Sequence, residues 1–172
     1  MNAYPVKDAI VYDLEVYRNF FLAGFELPDG SIYQFDHTQT SDLIKFLDWV
    51  RLSDHPLAGF NSLGYDDPVL SEYLVQPTPT RAYEVSQLII VQQTPPWSFD
   101  NSVWSIDLMQ ILPGRVGLKN LGVRLHHGKL QELPVAFDKE LDPKEMQIIK
   151  TYNINDLHIT RKLYNQLLPE LE

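Results

Sequence analysis

Ala9-Ile10-Val11-Tyr12 is a short apolar run that leads straight into Asp13-Leu14-Glu15. The run suits a central β-strand, with Asp13 and Glu15 at its carboxyl end. Two residues apart on an extended chain, their side chains point to one face. Open α/β folds place ligands at the carboxyl edge of the sheet, so an acidic pair there bears on chemistry as well as folding. Taken alone, the pair reads first as the end of an exposed strand. Its weight depends on what the rest of the chain brings to it.

The following elements define the layers. Arg18 to Leu27 reads as a second strand and Ser31 to Phe35 as a third. Pro28-Asp29-Gly30 joins them, and Asp-Gly between apolar runs is a strong hairpin signal. Thr40 or Ser41 is placed to cap a helix whose apolar stripe is Leu43, Ile44, Phe46, Leu47 and Val50. His55 to Phe60 then reads as a buried strand parallel to the first, because a helix intervenes. Asp66-Asp67-Pro68 opens a helix that runs to about Leu74. Gln76 to Thr80 interrupts, and a helix over 81–91 carries Ala82, Val85, Leu88 and Ile89 on one side. Ser102 to Ile106 is a short fifth strand ending at Asp107. Residues 108–112 begin a helix or turn that Pro113-Gly114 breaks; 118–125 reads as helical and 128–137 as irregular.

Asp142-Pro143-Lys144-Glu145 is a helix start, with aspartate as N-cap, proline at N1 and glutamate at N3. That helix is expected to reach about Leu168. Asn153 and Asn155 weaken it and leave room for a kink near Lys150–Asn153. The order of elements predicts an α/β fold, a mixed five-stranded sheet flanked by helices. The 172 residues fit a single domain, 1–172, and no repeat, low-complexity tract or linker divides it.

The absence of cysteine excludes disulfides, thiolate metal sites and cysteine nucleophiles. The N-terminus lacks a basic-plus-apolar signal pattern, and no apolar run approaches ~18 residues. The expectation is a soluble, cytoplasmic protein with no membrane partner. The net charge is −9. Phosphate neutralisation favours basic proteins as nucleic-acid binders, so the charge read naively argues against nucleic acid. A site for two divalent cations reverses that argument, because it needs surplus carboxylates and the cations bring positive charge themselves. The basic residues are also uneven. Arg115, Lys119, Arg124, His126, His127 and Lys129 fall in one stretch that holds no acid. Two readings of it stay open: a solvated loop face, or a strip that holds a phosphate backbone near the acidic centre.

Two later stretches give the acidic pair partners. Asn61-Ser62-Leu63-Gly64-Tyr65-Asp66 follows the fourth strand, and Tyr152-Asn153-Ile154-Asn155-Asp156 lies in the C-terminal helix. Tyr152 and Asp156 are four residues apart and stack on one helix face. Asp66 alone reads as an N-cap, and Tyr152 alone as a core aromatic with its hydroxyl at the rim. Asp156 on an inward face is harder to explain that way, because an unpaired buried carboxylate is costly. Asp13, Glu15, Asp66 and Asp156 together are hard oxygen donors that suit Mg²⁺ or Mn²⁺. Two such cations about 3.5–4 Å apart assist phosphodiester hydrolysis. Asp107 reads as a helix cap rather than a fifth ligand, and His126-His127 lacks metal-ligand spacing.

In this order the three motifs resemble the DEDD (DnaQ-like) 3′–5′ exonuclease superfamily, in its tyrosine-bearing branch. That branch includes proofreading domains of DNA polymerases and ribonuclease D. The resemblance covers roughly residues 8–168. Gly59-Phe60-Asn61 and Gly117-Leu118-Lys119 add a looser likeness to phage DNA polymerase exonuclease domains. It implies a ribonuclease H-like fold and two divalent metal ions, Mg²⁺ or Mn²⁺. Asp13 is implied to bridge both metals, Glu15 and Asp156 to complete the shell of the nucleophile-side metal, and Asp66 to hold the second, often through water. Tyr152 is implied to orient the attacking water, a phenol being a poor base near neutral pH. The histidine branch carries its catalytic histidine five residues before the last aspartate; Thr151 stands there in this chain. Asn61 is implied to contact the scissile strand, Tyr65 to pack near the site, and the backbone around Leu14 to meet the terminal nucleotide. Lys119, Arg124 and Lys129 are the substrate-binding candidates of the basic strip.

The expected activity is metal-dependent hydrolysis at the 3′ ends of single-stranded DNA, releasing nucleoside 5′-monophosphates. With no polymerase region in the sequence, the chain reads as either a freestanding protein or an excised domain; a freestanding form would proofread in trans for a separate DNA polymerase, in the host cytoplasm if phage-encoded. One alternative is RNA 3′-end trimming of the ribonuclease D kind, which would turn on a contact to the 2′-hydroxyl. Another is a non-catalytic module that binds a nucleic-acid end or a polymerase, against which the complete set of carboxylates and tyrosine argues. Phe20, Phe21 and Pro95-Pro96-Trp97 are read as core packing, with base stacking as the competing role.

Overall fold

Alternation along the first strand divides the molecule into layers. The computed structural model describes residues 9–112, 117, 118, 120, 121 and 132–171. In it β1 (Ile10–Tyr17) sends Ile10, Tyr12, Leu14 and Val16 into one apolar cluster, while Val11 and Tyr17 join two others on the opposite face. Asp13 and Glu15 lie on that second face, between Val11 and Tyr17, and so inside the strand rather than at its expected carboxyl end, because antiparallel pairing with the next strand carries β1 on to Tyr17.

β2 (Phe20–Glu26) and β3 (Ile32–Asp36) extend the sheet antiparallel to β1. Their turn is the expected Asp-Gly hairpin. The Leu27 N–H donates to the Ser31 carbonyl at 2.9 Å, the Asp29 carboxylate accepts the Ser31 N–H at 2.9 Å, and Gly30 takes φ +88°, where glycine is favoured. β4 (Leu57–Gly59) pairs parallel with β1, and β5 (Ser105–Asp107) parallel with β4. The order β3-β2-β1-β4-β5 is a mixed five-stranded sheet with β1 at its centre.

Helices α1 (Thr40–Leu52), α2 (Asp66–Val75) and α3 (Pro79–Ile90) cover the first face through Leu43, Val50, Val69, Leu70, Tyr73, Ala82 and Val85. Phe20 and Phe21 are core residues, and Phe21 stacks on Tyr73 at 3.8 Å between ring centroids. Helix α4 (Pro143–Leu171) covers the second face. Its Ile149 packs with Tyr17 and Phe20, and its Leu163 and Tyr164 pack with Ala9 and Val11, so α4 runs antiparallel to β1. Between these two apolar contacts the helix presents Tyr152, Asn153 and Asp156, opposite Asp13 and Glu15.

The start of α4 is a reciprocal capping box. The Asp142 carboxylate accepts the Glu145 N–H at 2.8 Å, and the Glu145 carboxylate accepts the Asp142 N–H at 3.1 Å. The helix continues unbroken past Asn153, because the Asn153 carboxamide bonds across to the sheet instead of competing for its own backbone.

Several local expectations are corrected. α1 starts at Thr40 after Gln39 without a side-chain cap, the Thr40 hydroxyl being paired with the Tyr73 hydroxyl at 2.7 Å. α3 begins at Pro79 rather than 81, because the Thr78 hydroxyl accepts the Arg81 N–H at 3.1 Å. β4 is three residues long, half the predicted span. Trp97 is 84% exposed and does not pack on the core. Of the segment read as helical over 118–125, residues 119 and 122–125 lie outside the described residues; of the one read as irregular, 132–137 are described and form neither helix nor strand, and 128–131 lie outside. No described helix is long and apolar enough to cross a membrane.

Candidate metal centre

The carboxylates that β1 and α4 turn toward each other converge. One oxygen from each of Asp13, Glu15 and Asp156 lies within 4.8 Å of the others. Glu15 and Asp156 are buried and Asp13 is half-buried. Three carboxylates this close and this shielded repel one another. The donors are all hard oxygens, with neither sulfur nor imidazole among them, and that donor set fits Mg²⁺ or Mn²⁺.

Asp66 stands beside this group rather than in it. The first turn of α2 carries it to β1, where its Oδ1 accepts the Leu14 N–H at 3.1 Å. It makes no N-terminal cap bond to α2, so its reading as a helix cap does not hold. Burial raises the Asp66 pKa well above the usual carboxylate range, and the neighbouring Asp13 charge raises it further. A cation near Asp13 and Asp66 would relieve both penalties.

Asp13, Leu14, Asn61, Tyr65 and Asp66 share one open cleft of about 450 Å³, with Phe60, Met109 and Leu118 in its walls. The cleft thus gathers three residues that the sequence reading linked to substrate: Leu14, Asn61 and Tyr65. The Tyr65 hydroxyl is taken up by Ser86 at 2.8 Å. Burial first, and then the surrounding carboxylates, raise its pKa, so it acts as a fixed wall and not as a titrating group. Lys119, Arg124 and Lys129, with Arg115, His126 and His127, lie outside the described residues.

Tyr152 lies one turn before Asp156 on α4 and is 8% exposed. Burial raises its pKa most, and Asp156, Glu15 and Asp13 add to the rise. The phenol therefore stays protonated near neutral pH and can donate a hydrogen bond but not serve as a base. Tyr152, Thr151 and Ile148 also border a second cavity of about 380 Å³ with Glu132 and Pro134.

Two aspartates outside the acidic group hold the walls. Asp107 is the cap that its position predicted, accepting the Met109 N–H at 3.0 Å. It also accepts the Asn61 N–H at 2.8 Å and the Leu63 N–H at 3.2 Å, which fixes the loop after β4. Asn61 takes φ +56° there, a left-handed conformation that costs energy unless its surroundings hold it. Asp67 turns away from the cleft and accepts the Tyr12 hydroxyl, the Ser105 N–H at 3.1 Å and the Ser105 hydroxyl. It ties β1, β5 and the start of α2 together directly behind Asp66. Both were legible only as strand-end or helix-start acids, since the donors they collect come from distant parts of the chain.

No family model and no curated protein matches this chain. Its class therefore rests on its own fold and site: a mixed five-stranded sheet flanked by helices, with converging carboxylates where the central strand meets the last helix.

Proposed function

We propose that the chain is a metal-dependent 3′–5′ exonuclease of ribonuclease H-like fold, acting on single-stranded DNA ends and releasing nucleoside 5′-monophosphates. The observation that carries this reading is the convergence of Asp13, Glu15 and Asp156 within 4.8 Å, with Asp66 bonded to the intervening Leu14 N–H. Asp13, Glu15 and Asp156 would hold one divalent cation, and Asp13 with Asp66 a second. Two such cations supply charge neutralisation at phosphorus, a more acidic water and support for the departing oxygen.

The protein's own groups do the rest. Tyr152, kept protonated by burial and by the acids around it, donates its hydroxyl hydrogen to Asp156 and orients the attacking water through its oxygen, without removing the water's proton. The cleft beside Asp13 and Asp66 is large enough for a nucleotide, with Asn61 and Tyr65 to hold it. Asp107 keeps the Asn61 loop in register with β1. Proofreading for a DNA polymerase is a role this activity would serve.

The test is degradation of a 5′-labelled single-stranded DNA oligomer with Mg²⁺ or Mn²⁺, with and without chelator, by wild type and Asp13→Ala. The expected result is a ladder that shortens from the 3′ end and disappears with chelator and in the variant. Cleavage of RNA in place of DNA would make the chain a 3′-trimming ribonuclease. Cleavage of neither would make it a binding module.

A further inference from the structure

Asp13, Gly24 and Gln34 form a row across the sheet. Asp13 of β1 is registered with Gly24 of β2, and Gly24 with Gln34 of β3. Directly opposed residues on neighbouring strands point to the same face. The central member of this row has no side chain, so a slot opens between the carboxylate on one side and the carboxamide on the other. The Asn153 side chain descends from α4 into that slot. A methyl on Gly24 would collide with the Asn153 carboxamide and touch Leu157.

Within the slot, Asn153 bonds in both directions. Its Nδ2 donates to Asp13 Oδ2 at 3.0 Å and, less closely, to the Asp13 carbonyl at 3.3 Å. Its Oδ1 accepts from Gln34 Nε2 at 3.0 Å, and the same Nε2 donates to the Lys150 carbonyl at 2.8 Å. The orientation of both amides follows from the chemistry of their partners. A carboxylate and a main-chain carbonyl only accept, so an NH₂ group must face each of them. Asn153 is fully buried, and moving it would strand these groups without water to replace the bonds.

We propose that Asn153, seated over Gly24 and held by Gln34, is the positioning residue that fixes the Asp13 carboxylate for cation binding. The inference rests on the reading of Asp13 as the carboxylate shared by two cations. Asn153 occupies one lone-pair direction of Oδ2, and this sets the Asp13 side-chain rotation. The remaining oxygen positions then face Glu15 and Asp156. A donor to a ligating carboxylate commonly governs metal affinity about 10- to 100-fold.

The probe is Mn²⁺ alone, titrated calorimetrically into the full chain, alongside steady-state cleavage of a DNA oligomer. Asn153→Ala should weaken Mn²⁺ binding by about 10- to 100-fold and lower kcat similarly, with KM for the oligomer within about twofold. Gly24→Ala, which blocks the slot while keeping the asparagine, should reproduce that loss. Gln34→Ala should give a smaller loss in the same direction and add nothing on the Asn153→Ala background, as expected for residues acting in series. Gln34 is on an edge strand, so its variant decides alone should the two buried substitutions fail to fold. If wild type binds Mn²⁺ through Asp13 and these variants bind it equally well, Asn153 is only a packing residue and the inference falls. A wild-type chain that binds no Mn²⁺ overturns the nuclease reading and this inference with it.

Discussion

Asp66 Oδ1 accepts the Leu14 N–H at 3.1 Å, so an aspartate at the start of a helix is hydrogen-bonded to the backbone between the two acids of the central strand. This bond decides what a conservative substitution does. Asp66→Asn keeps a carbonyl oxygen for the Leu14 N–H and removes the charge that burial and Asp13 both oppose. Cleavage should fall by on the order of a hundredfold or more, because an amide is a poor metal ligand. Melting temperature in chelator should stay level or rise. A variant that melts well below wild type in chelator would show that the charge itself holds the fold.

Asp107 collects three backbone donors, from Asn61, Leu63 and Met109. Asp107→Ala strands these N–H groups and releases Asn61 from its positive φ. The expected cost is about 2–3 kcal/mol from unsatisfied donors in a partly buried loop, read from denaturant unfolding. The more informative readout is kinetic. KM for the oligomer should rise, because Asn61 and Tyr65 line the cleft that Asp107 steadies. A stable variant with unchanged KM would separate the loop from substrate binding.

Much of this architecture was legible because local chemistry and tertiary packing agree. The capping box at Asp142 and Glu145, the Asp29-Gly30 hairpin and the apolar run into Asp13 each specify an element by themselves. Tyr152 and Asp156 needed only helical spacing. What escaped was what depends on distant partners. Asn153 reads as a poor helix former, yet it bonds Asp13 and Gln34, residues more than a hundred positions away. Asp66 reads as a cap, yet the bond it accepts comes from β1. The Thr78 cap shifted α3 by two residues because the run of prolines around it reads as an interruption. Fold signals are local and periodic, whereas side-chain hydrogen bonds across the sheet have no period to find.

Glu72 offers a check on the electrostatics far from the carboxylate cluster. Its pKa is lowered mainly by the Asp100 N–H, which it accepts at 2.9 Å, and then by Arg81 at 2.6 Å. A carboxyl group held below its ordinary value contributes stability above that value and loses it as pH falls through the folded-state pKa. Glu72→Gln should therefore melt below wild type by a few degrees near pH 6. The gap should narrow as pH drops below the ordinary glutamate value of 4.5. A gap independent of pH would mean that shape, rather than charge, makes the contribution.

Tyr152→Phe separates the two roles a phenol can have at such a site. Burial and the three carboxylates around it keep the hydroxyl protonated across the range in which the protein would work. Its contribution is then one oriented hydrogen bond, and its loss should slow cleavage about 10- to 100-fold, less than the loss of Asp13 or Asp156. The pH–rate profile of the variant should keep the shape of the wild-type profile at a lower level, since the titrating water is still present. If the basic limb vanishes in Tyr152→Phe, the tyrosine itself is the group that loses the proton, and the site must lower its pKa once cations are bound. If the variant is as fast as wild type, the hydroxyl does not touch the attacking water, and Tyr152 serves only to close α4 against β1.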